Sequence, residues 1–302
     1  MPQKEKFIQY LKNEIRFCKE NLNGKYIHFI HFSPLAGFYF LEKEFIPYYK
    51  EIESLGGNIG IHLHMDIPLK KYNLFQNNID FIKEVIGKIK DIGLKPIAHR
   101  GGYFSYDNIM TKTLEENGVF LEMSNVFGRK MIYKGELVSD WSESINRVYK
   151  LDYNNFLKEG DSKVWEIPVG NSNKKYLYLE KMGVNGAKYL LWNMKKNIKS
   201  IENDQIATVI THSYMFPPMK YNTFFKPFDF CASRNRYIKY FYILMQKIIN
   251  HYPIFGEILS IKFFSWQSLY NRRKFVSIIE IIKSEYEFIN GDQCLEILQK
   301  SK

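Results

Sequence analysis

The residues best suited to chemistry in this chain are histidines at the ends of predicted strands. Three short apolar runs stop at such residues: His62 with His64, His99 with Arg100, and His212. The carboxyl ends of parallel strands meet at one edge of a sheet, where α/β proteins place their active sites. We therefore expect these side chains to converge on one rim, although a single histidine is more often a hydrogen-bonded structural residue.

The segment Gly60–Asp66 carries the pattern of a metal site. Alternate side chains of an extended strand share a face, so His62, His64 and Asp66 can point the same way. Two imidazoles and a carboxylate form a ligand set for a divalent cation such as zinc. The alternative is an ordinary half-exposed strand, where polar residues recur with the same period of two. The spacing leaves both interpretations open.

Helices and strands alternate along the chain. Apolar residues at helical spacing predict helices at Lys6–Glu20, Phe45–Leu55, Ile79–Ile92 and Asp107–Glu116. Short apolar runs predict strands at Tyr26–Phe32, Asn58–His64, Lys95–Arg100, Val119–Ser124, Lys163–Val169, Gln205–His212 and, more weakly, Tyr176–Leu179. Repeated βα units of this length predict a (β/α) barrel of about seven parallel strands, irregular or incomplete at its N-terminus.

A single domain is expected to span residues 1–302, because neither a low-complexity linker nor an internal repeat interrupts the sequence. The segment Arg234–Ser284 predicts a mainly helical extension within residues 212–285. A closing strand at Tyr286–Ile289 and a short helix beginning near Asp292 are expected to follow it.

Four segments, in this order, resemble motifs of the polysaccharide deacetylase superfamily, the carbohydrate esterase family four type with a NodB-like homology domain. Gly57–Asp66 resembles the metal-binding motif in its His-x-His variant. Pro96–Ser124, PIAHRGGYFSYDNIMTKTLEENGVFLEMS, resembles a strand-end arginine followed by a small-residue turn, a helix and a strand. Asp161–Val169 (DSKVWEIPV) and Thr208–Ser213 resemble two later strands, the second carrying a catalytic histidine.

The resemblance implies a metal-dependent hydrolase that removes N-acetyl groups from a polysaccharide, glycan or glycan precursor. His62 would bind a divalent metal, with zinc the implied ion, and either His64 or Asp66 would be the second ligand. Arg100 would orient the catalytic carboxylate and His212 would protonate the leaving amine. The products would be acetate and an amino sugar.

The chain departs from this family at the first motif, a strand ending in two aspartates that serve as base and metal ligand. Here Asp66 is the first aspartate of the sequence. We expect the chain to begin after that strand, which would leave an apolar sheet edge beside Tyr26–Phe32. His28 and His31 could form a rim pair in its place. The substitute bases to consider are Asp66, which joins Arg100 and His212 as a catalytic candidate, and Asp107, Asp140, Asp161 and Glu166.

The missing motif also supports a second interpretation, a catalytically inactive relative that binds a glycan or a partner. Aromatic residues near the rim would contact the sugar in either case, because apolar rings form platforms for ligands. The candidates are Tyr103, Phe104 and Tyr214, with Trp141 and Trp165 near the same rim. Packing in the core is the alternative for each of them.

The composition favours anionic partners. The chain has 43 Lys and Arg against 32 Asp and Glu, a net charge of +11. This charge attracts acidic glycans, lipid-linked sugar phosphates and anionic membranes, whereas no nucleic-acid-binding motif accompanies it. The three widely spaced cysteines and the absence of a visible secretion signal predict a cytoplasmic protein. Peripheral membrane contact and the oligomeric state stay open.

Overall fold

The fold is mixed α/β in the parts of the chain that the structure describes. In this computed structural model these are residues 4–33, 36–64, 74–133, 135–171, 173, 177–201, 204–213, 216 and 273–300. Seven helices occur there: α1 (Lys4–Leu22), α2 (Ile46–Ser54), α3 (Leu74–Asp91), α4 (Asn108–Glu116), α5 (Leu179–Asn197), α6 (residues 273–283) and α7 (Gly291–Lys300). Within these residues, no helix is long and apolar enough to cross a membrane.

The strands form one large sheet and one hairpin. They are β1 (Ile27–Phe32), β2 (Asn58–Leu63), β3 (Pro96–Gly101), β4 (Leu121–Glu122), β5 (Lys130–Tyr133), β6 (Glu136–Asp140), β7 (Tyr149–Lys150) and β8 (Trp165–Glu166). The sheet has the order β1-β2-β3-β4-β8-β7, and all its pairings are parallel except that of β7 with β8. Strands β5 and β6 form a separate antiparallel hairpin. Closure of the sheet into a barrel is not observed in the described ranges.

The register places two rows of side chains across the carboxyl ends of the parallel strands. One, which we call the buried row, consists of Ile30, Ile61, His99, Glu122 and Glu166. The next position along β1, β2 and β3 gives the open row, which consists of His31, His62 and Arg100. Successive side chains of a strand point to opposite faces, so the two rows lie on opposite sides of the sheet.

Each face of the sheet is covered by helices. On the face of the buried row, Ile30 and Ile61 belong to the largest apolar cluster, which also takes in buried residues of α1, α2 and α3. On the other face, β3 and β4 pack against α7 through Cys294 and Leu298. The side chain of Asn58 joins β2 to α7, because its Oδ1 accepts the Gly291 N–H at 2.7 Å. Helix α1 bridges to a second cluster formed with α5 and α6.

The predicted helices before residue 120 and the first three strands are confirmed, with small shifts of their ends. The expected strand at Tyr286–Ile289 is wrong: this stretch forms no ladder, and Tyr286 and Phe288 pack instead against the cluster of α5 and α6. Gln205–His212 forms only isolated bridges, Thr208 with Val169 and Ile210 with Tyr178. Helix α5 and the β5–β6 hairpin were not predicted. Most of the predicted helical extension lies outside the described residues.

Candidate functional site

Three histidines meet at the carboxyl ends of β1 and β2. His31 and His62 are directly opposite each other in the register. His64 follows, and its backbone N–H donates to the Phe32 carbonyl at 2.8 Å, which continues the parallel ladder beyond β2. One ligand atom from each imidazole lies within 4.8 Å of the others, and all three residues are half-buried. In the described parts of the chain no other group of three potential metal ligands has this geometry.

The environment of His62 prepares its ring for metal binding. Its Nδ1 lies 3.0 Å from the Arg100 carbonyl oxygen. A carbonyl only accepts, so Nδ1 carries the proton and Nε2 keeps its lone pair, an arrangement typical of metal-bound histidines. Burial lowers the pKa of His62 well below its usual value, and the neighbouring His64 lowers it further. The ring is therefore neutral at neutral pH, as a metal ligand must be.

The ligand set differs from the predicted one in its third member. His62 and His64 lie together, but Asp66 is outside the described residues, and His31 completes the group. The predicted rim pair of His28 and His31 is wrong, because an odd spacing along β1 places them on opposite faces. His28 is buried, with its Nδ1 2.8 Å from the Glu14 carboxylate. Three imidazoles are the protein ligands of one known type of catalytic zinc site.

Arg100 lies beside this group in the open row. Its guanidinium carbon is 4.4 Å from the centroid of the Phe29 ring, and its Nε donates to the Met123 carbonyl at 3.3 Å. The Phe29 ring passes over Gly60, where an added Cβ would come within 2.6 Å of a ring carbon. Burial lowers the pKa of Arg100 to about 10, so it stays cationic at neutral pH. No carboxylate of the described residues forms an ion pair with it.

His212 lies in the segment that follows α5. Its Nδ1 is 2.7 Å from the Glu180 carboxylate, so Nδ1 carries the proton. Its ring centroid lies 4.8 Å from that of Tyr178. Burial raises the pKa of Tyr178, the charge of Glu180 raises it further, and Arg100 opposes them. His212 thus contacts a tyrosine whose pKa responds to the charge of Arg100.

A strained turn after β3 presents an aromatic ring to the histidines. Tyr103 and Phe104 both have positive φ, 47° and 60°, which costs about 1–2 kcal/mol for a residue with a Cβ. The hairpin holds this turn: the Ser139 hydroxyl donates to the Tyr103 carbonyl at 2.9 Å, and the Trp141 indole donates to that of Phe104 at 2.7 Å. The Tyr103 ring centroid lies 5.8 Å from that of His64.

Phe104 and Trp165, two of the other predicted aromatic contacts, are buried. Phe104 was expected to contact substrate but is only 3% exposed, because its side chain packs into an apolar cluster with Trp141 and Val126. Trp165 is buried as well, on β8. Tyr214 lies outside the described residues. Tyr178, at the site, was missed, since nothing in the sequence marks it off from the other tyrosines.

The remaining predicted histidine, His99, lies in the buried row and not on the rim. It is fully buried, and its Nδ1 is 2.5 Å from the Glu122 carboxylate. Ser124 donates its hydroxyl to the same carboxylate and accepts the Gly101 N–H at 2.9 Å. The parity of the strand explains the correction: His99 precedes Arg100 and therefore points to the opposite face.

The proposed substitute bases other than Asp66, which is outside the described residues, lie elsewhere. Glu166 accepts the Asn125 N–H at 2.9 Å in the buried row, where burial and then the charge of Glu122 raise its pKa well above the usual value. Asp107 caps α4 by accepting the Ile109 N–H, and Asp140 pairs with Lys130 at 2.8 Å. Neither these residues nor Asp161 belongs to the three-histidine group.

The fold and the site together define a class: a mixed α/β protein with three histidines and an arginine at the carboxyl edge of a mostly parallel sheet. Comparison of the chain with protein-family models, curated proteins and solved structures found no match. The function is therefore argued from the geometry of the site.

Proposed function

We propose that this chain is a divalent-metal-dependent hydrolase of the polysaccharide deacetylase type, which removes N-acetyl groups from a glycan or glycan precursor. The observation that carries the proposal is the group formed by His31, His62 and His64, whose ligand atoms lie within 4.8 Å of one another. The bridges of Val169 with Thr208 and of Tyr178 with Ile210 support a sheet that curves towards a barrel.

The three imidazoles would hold the metal, with zinc the expected ion because all three ligands are nitrogen. A divalent cation there supplies Lewis-acid polarisation of an amide carbonyl. The Arg100 carbonyl fixes the His62 ring by accepting its Nδ1 proton. Tyr103, 36% exposed beside His64, offers an apolar surface to a sugar ring.

His212 is the candidate proton donor to the leaving amine. Its partner Glu180 is buried and is itself held by the Thr211 hydroxyl at 3.0 Å, so the imidazole has a fixed tautomer and orientation. Its ring centroid lies 4.8 Å from that of Tyr178, and the charge of Arg100 lowers the pKa of Tyr178. A donor positioned in this way contributes typically 10²–10⁴-fold to a proton-transfer step.

A second candidate function is a metal-binding relative without catalytic activity. It is favoured by the composition of the three-histidine group, which contains no Asp or Glu from the described residues. A hydrolase of this type uses a carboxylate as general base, and Asp66 is the candidate nearest in sequence to the ligands.

Zinc binding tests the proposal directly. We expect the purified chain to bind one zinc ion, measured by elemental analysis and by calorimetry. His31→Ala, His62→Ala and His64→Ala should each weaken zinc binding at least about 100-fold, because each removes one of the few ligands. His212→Ala is the matched control: it lies at the same edge but outside the group, so zinc binding should be unchanged.

Acetate release from an N-acetylated chitin oligosaccharide separates the two candidate functions. The hydrolase predicts zinc-dependent release that is lost in His212→Ala while zinc stays bound. Stoichiometric zinc without acetate release from any acetylated glycan would favour the non-catalytic relative. Full zinc occupancy in His31→Ala would rule out the three-histidine ligand set.

A further inference from the structure

Within the described residues, no carboxylate pairs with the positive charge of the open row. The three candidate ligands are imidazoles, and neutral imidazoles leave the whole charge of a divalent cation uncompensated. Arg100 adds a second positive centre next to His62 in the same row. The carboxylates nearest to Arg100 along the register, Glu122 and Glu166, belong to the buried row on the opposite face of the sheet. From that side, the charges of both carboxylates raise the pKa of Arg100.

Contacts with Phe29 and Met123 hold the guanidinium of Arg100 in place, and no ion pair with a described residue occupies it. Its stacking on Phe29 and its Nε bond to the Met123 carbonyl fix its plane. The remaining N–H donors meet no carboxylate of the described residues, and the side chain stays partly accessible. An oriented fork of this kind matches the two oxygens of a carboxylate or phosphate.

From this arrangement we infer that Arg100 binds an anionic group of the substrate, so that the substrate is an acylated amino sugar that also carries a carboxylate or phosphate. The inference rests on the proposed function and narrows its substrate class. The net charge of +11 favours the same class of ligand.

Calorimetry with the zinc-loaded full chain tests this with three probes: N-acetylglucosamine, N-acetylglucosamine phosphate and N-acetylmuramic acid. We expect at least one anionic probe to bind about tenfold tighter than the neutral sugar. Which of the two is preferred identifies the anion as phosphate or carboxylate. Equal affinity for all three probes, or no binding of any of them, would overturn the inference.

Substitutions assign the preference to Arg100. Arg100→Met keeps the length of the side chain and its contact with Phe29, so zinc affinity should stay within about twofold while the preference for anions disappears. Arg147→Met, which changes an arginine paired with Glu159 away from the site, is the matched control and should keep the preference.

A preference that survives in Arg100→Met would contradict the inference. If this variant does not fold by circular dichroism, Arg100→Lys takes its place: it keeps the charge but loses the fork, and an unchanged preference would be equally contradictory. If the wild type binds no zinc, the proposed function is contradicted, but anion binding by Arg100 can still be tested. Inorganic phosphate should then bind the metal-free wild type and not Arg100→Met, and the absence of that difference overturns it.

Discussion

The two rows that cross the carboxyl ends of the parallel strands both contain histidine and a charged residue, but these side chains have opposite environments. In the buried row, His99 is fully enclosed, and Glu122 accepts hydrogen bonds from His99 and Ser124. In the open row, His62 is half-buried and bonded only to a backbone carbonyl, and Arg100 has no ion-pair partner among the described residues. The two rows are only one residue apart along each strand.

This difference shows which polar residues are used by the fold itself. A buried charge is tolerated when its partners are supplied by the protein, and the His99–Glu122–Ser124 network supplies them. In the open row, the described residues supply no carboxylate partner to Arg100, which leaves its guanidinium for a ligand. The number of histidines at strand ends therefore says little about function until the face that each one occupies is known.

The largest effect is expected for His99→Ala, which tests whether the buried row stabilises the fold and does not bind metal. The substitution leaves the Glu122 carboxylate buried without its imidazole partner, so the free energy of unfolding should fall by about 3 kcal/mol in urea denaturation. Zinc affinity should stay within about twofold, because His99 faces away from the three-histidine group. His62→Ala should do the reverse: it should abolish zinc binding and change the free energy of unfolding by less than about 1 kcal/mol.

His99→Asn is the control for this pair, because an amide nitrogen can replace Nδ1 as the donor to Glu122. It should recover part of the stability lost in His99→Ala. A loss of zinc binding in His99→Ala with unchanged stability would show that the roles of the two rows have been assigned the wrong way round.

A smaller effect should appear in the pH dependence of stability through Glu166. Its pKa is raised in the folded protein, chiefly by burial and next by the charge of Glu122. Below the ordinary value of 4.5, both folded and unfolded chains hold the proton; above it the unfolded chain releases its proton first, so folding becomes less favourable as the pH rises. Glu166→Gln removes this contribution. The melting temperature of Glu166→Gln relative to the wild type should therefore increase from pH 5 to pH 8.

Glu180→Gln serves as the comparison, because Glu180 lies on the side of His212 and not in the buried row. Its difference from the wild type should not follow the trend of Glu166→Gln. A relative stability of Glu166→Gln that falls between pH 5 and pH 8 would mean that Glu166 is ionised in the folded protein, and that the buried row balances its charges in another way.

The sequence predicted the early helices because each has a clear apolar period and is followed by a glycine or asparagine. It predicted the first three strands because each is a short apolar run. It also predicted that His62 and His64 lie at the end of a strand. It missed α5, where Gly183 interrupts the helix with a φ of 60° and lysines and asparagines dilute the apolar period. It misjudged Tyr286–Ile289, since an extended apolar stretch has the same pattern whether or not a neighbouring strand is present.

The site was harder to predict than the fold, because it depends on register. Strand parity alone would have separated His28 from His31 and His99 from Arg100. That His31 stands opposite His62 depends on the register of β1 against β2, in which the Asn58 N–H donates to the Tyr26 carbonyl at the start of the pair. No local pattern in the sequence carries that information. The strain at Tyr103 is likewise invisible without the hairpin that holds it.

The smallest effect on stability is expected at Tyr103, whose ring lies beside His64. Tyr103→Gly relieves the positive φ of 47° but adds backbone freedom to the unfolded chain, and these two contributions of about 1 kcal/mol oppose each other. The free energy of unfolding should therefore stay within about 0.5 kcal/mol of the wild type, whereas affinity for an N-acetylated sugar should fall because the ring beside His64 is gone. Tyr153→Gly, at another exposed tyrosine with ordinary backbone geometry, lacks the compensation and should be destabilising. If Tyr103→Gly is destabilised as much as Tyr153→Gly while sugar affinity is unchanged, then the turn only stabilises the fold and Tyr103 does not contact the sugar.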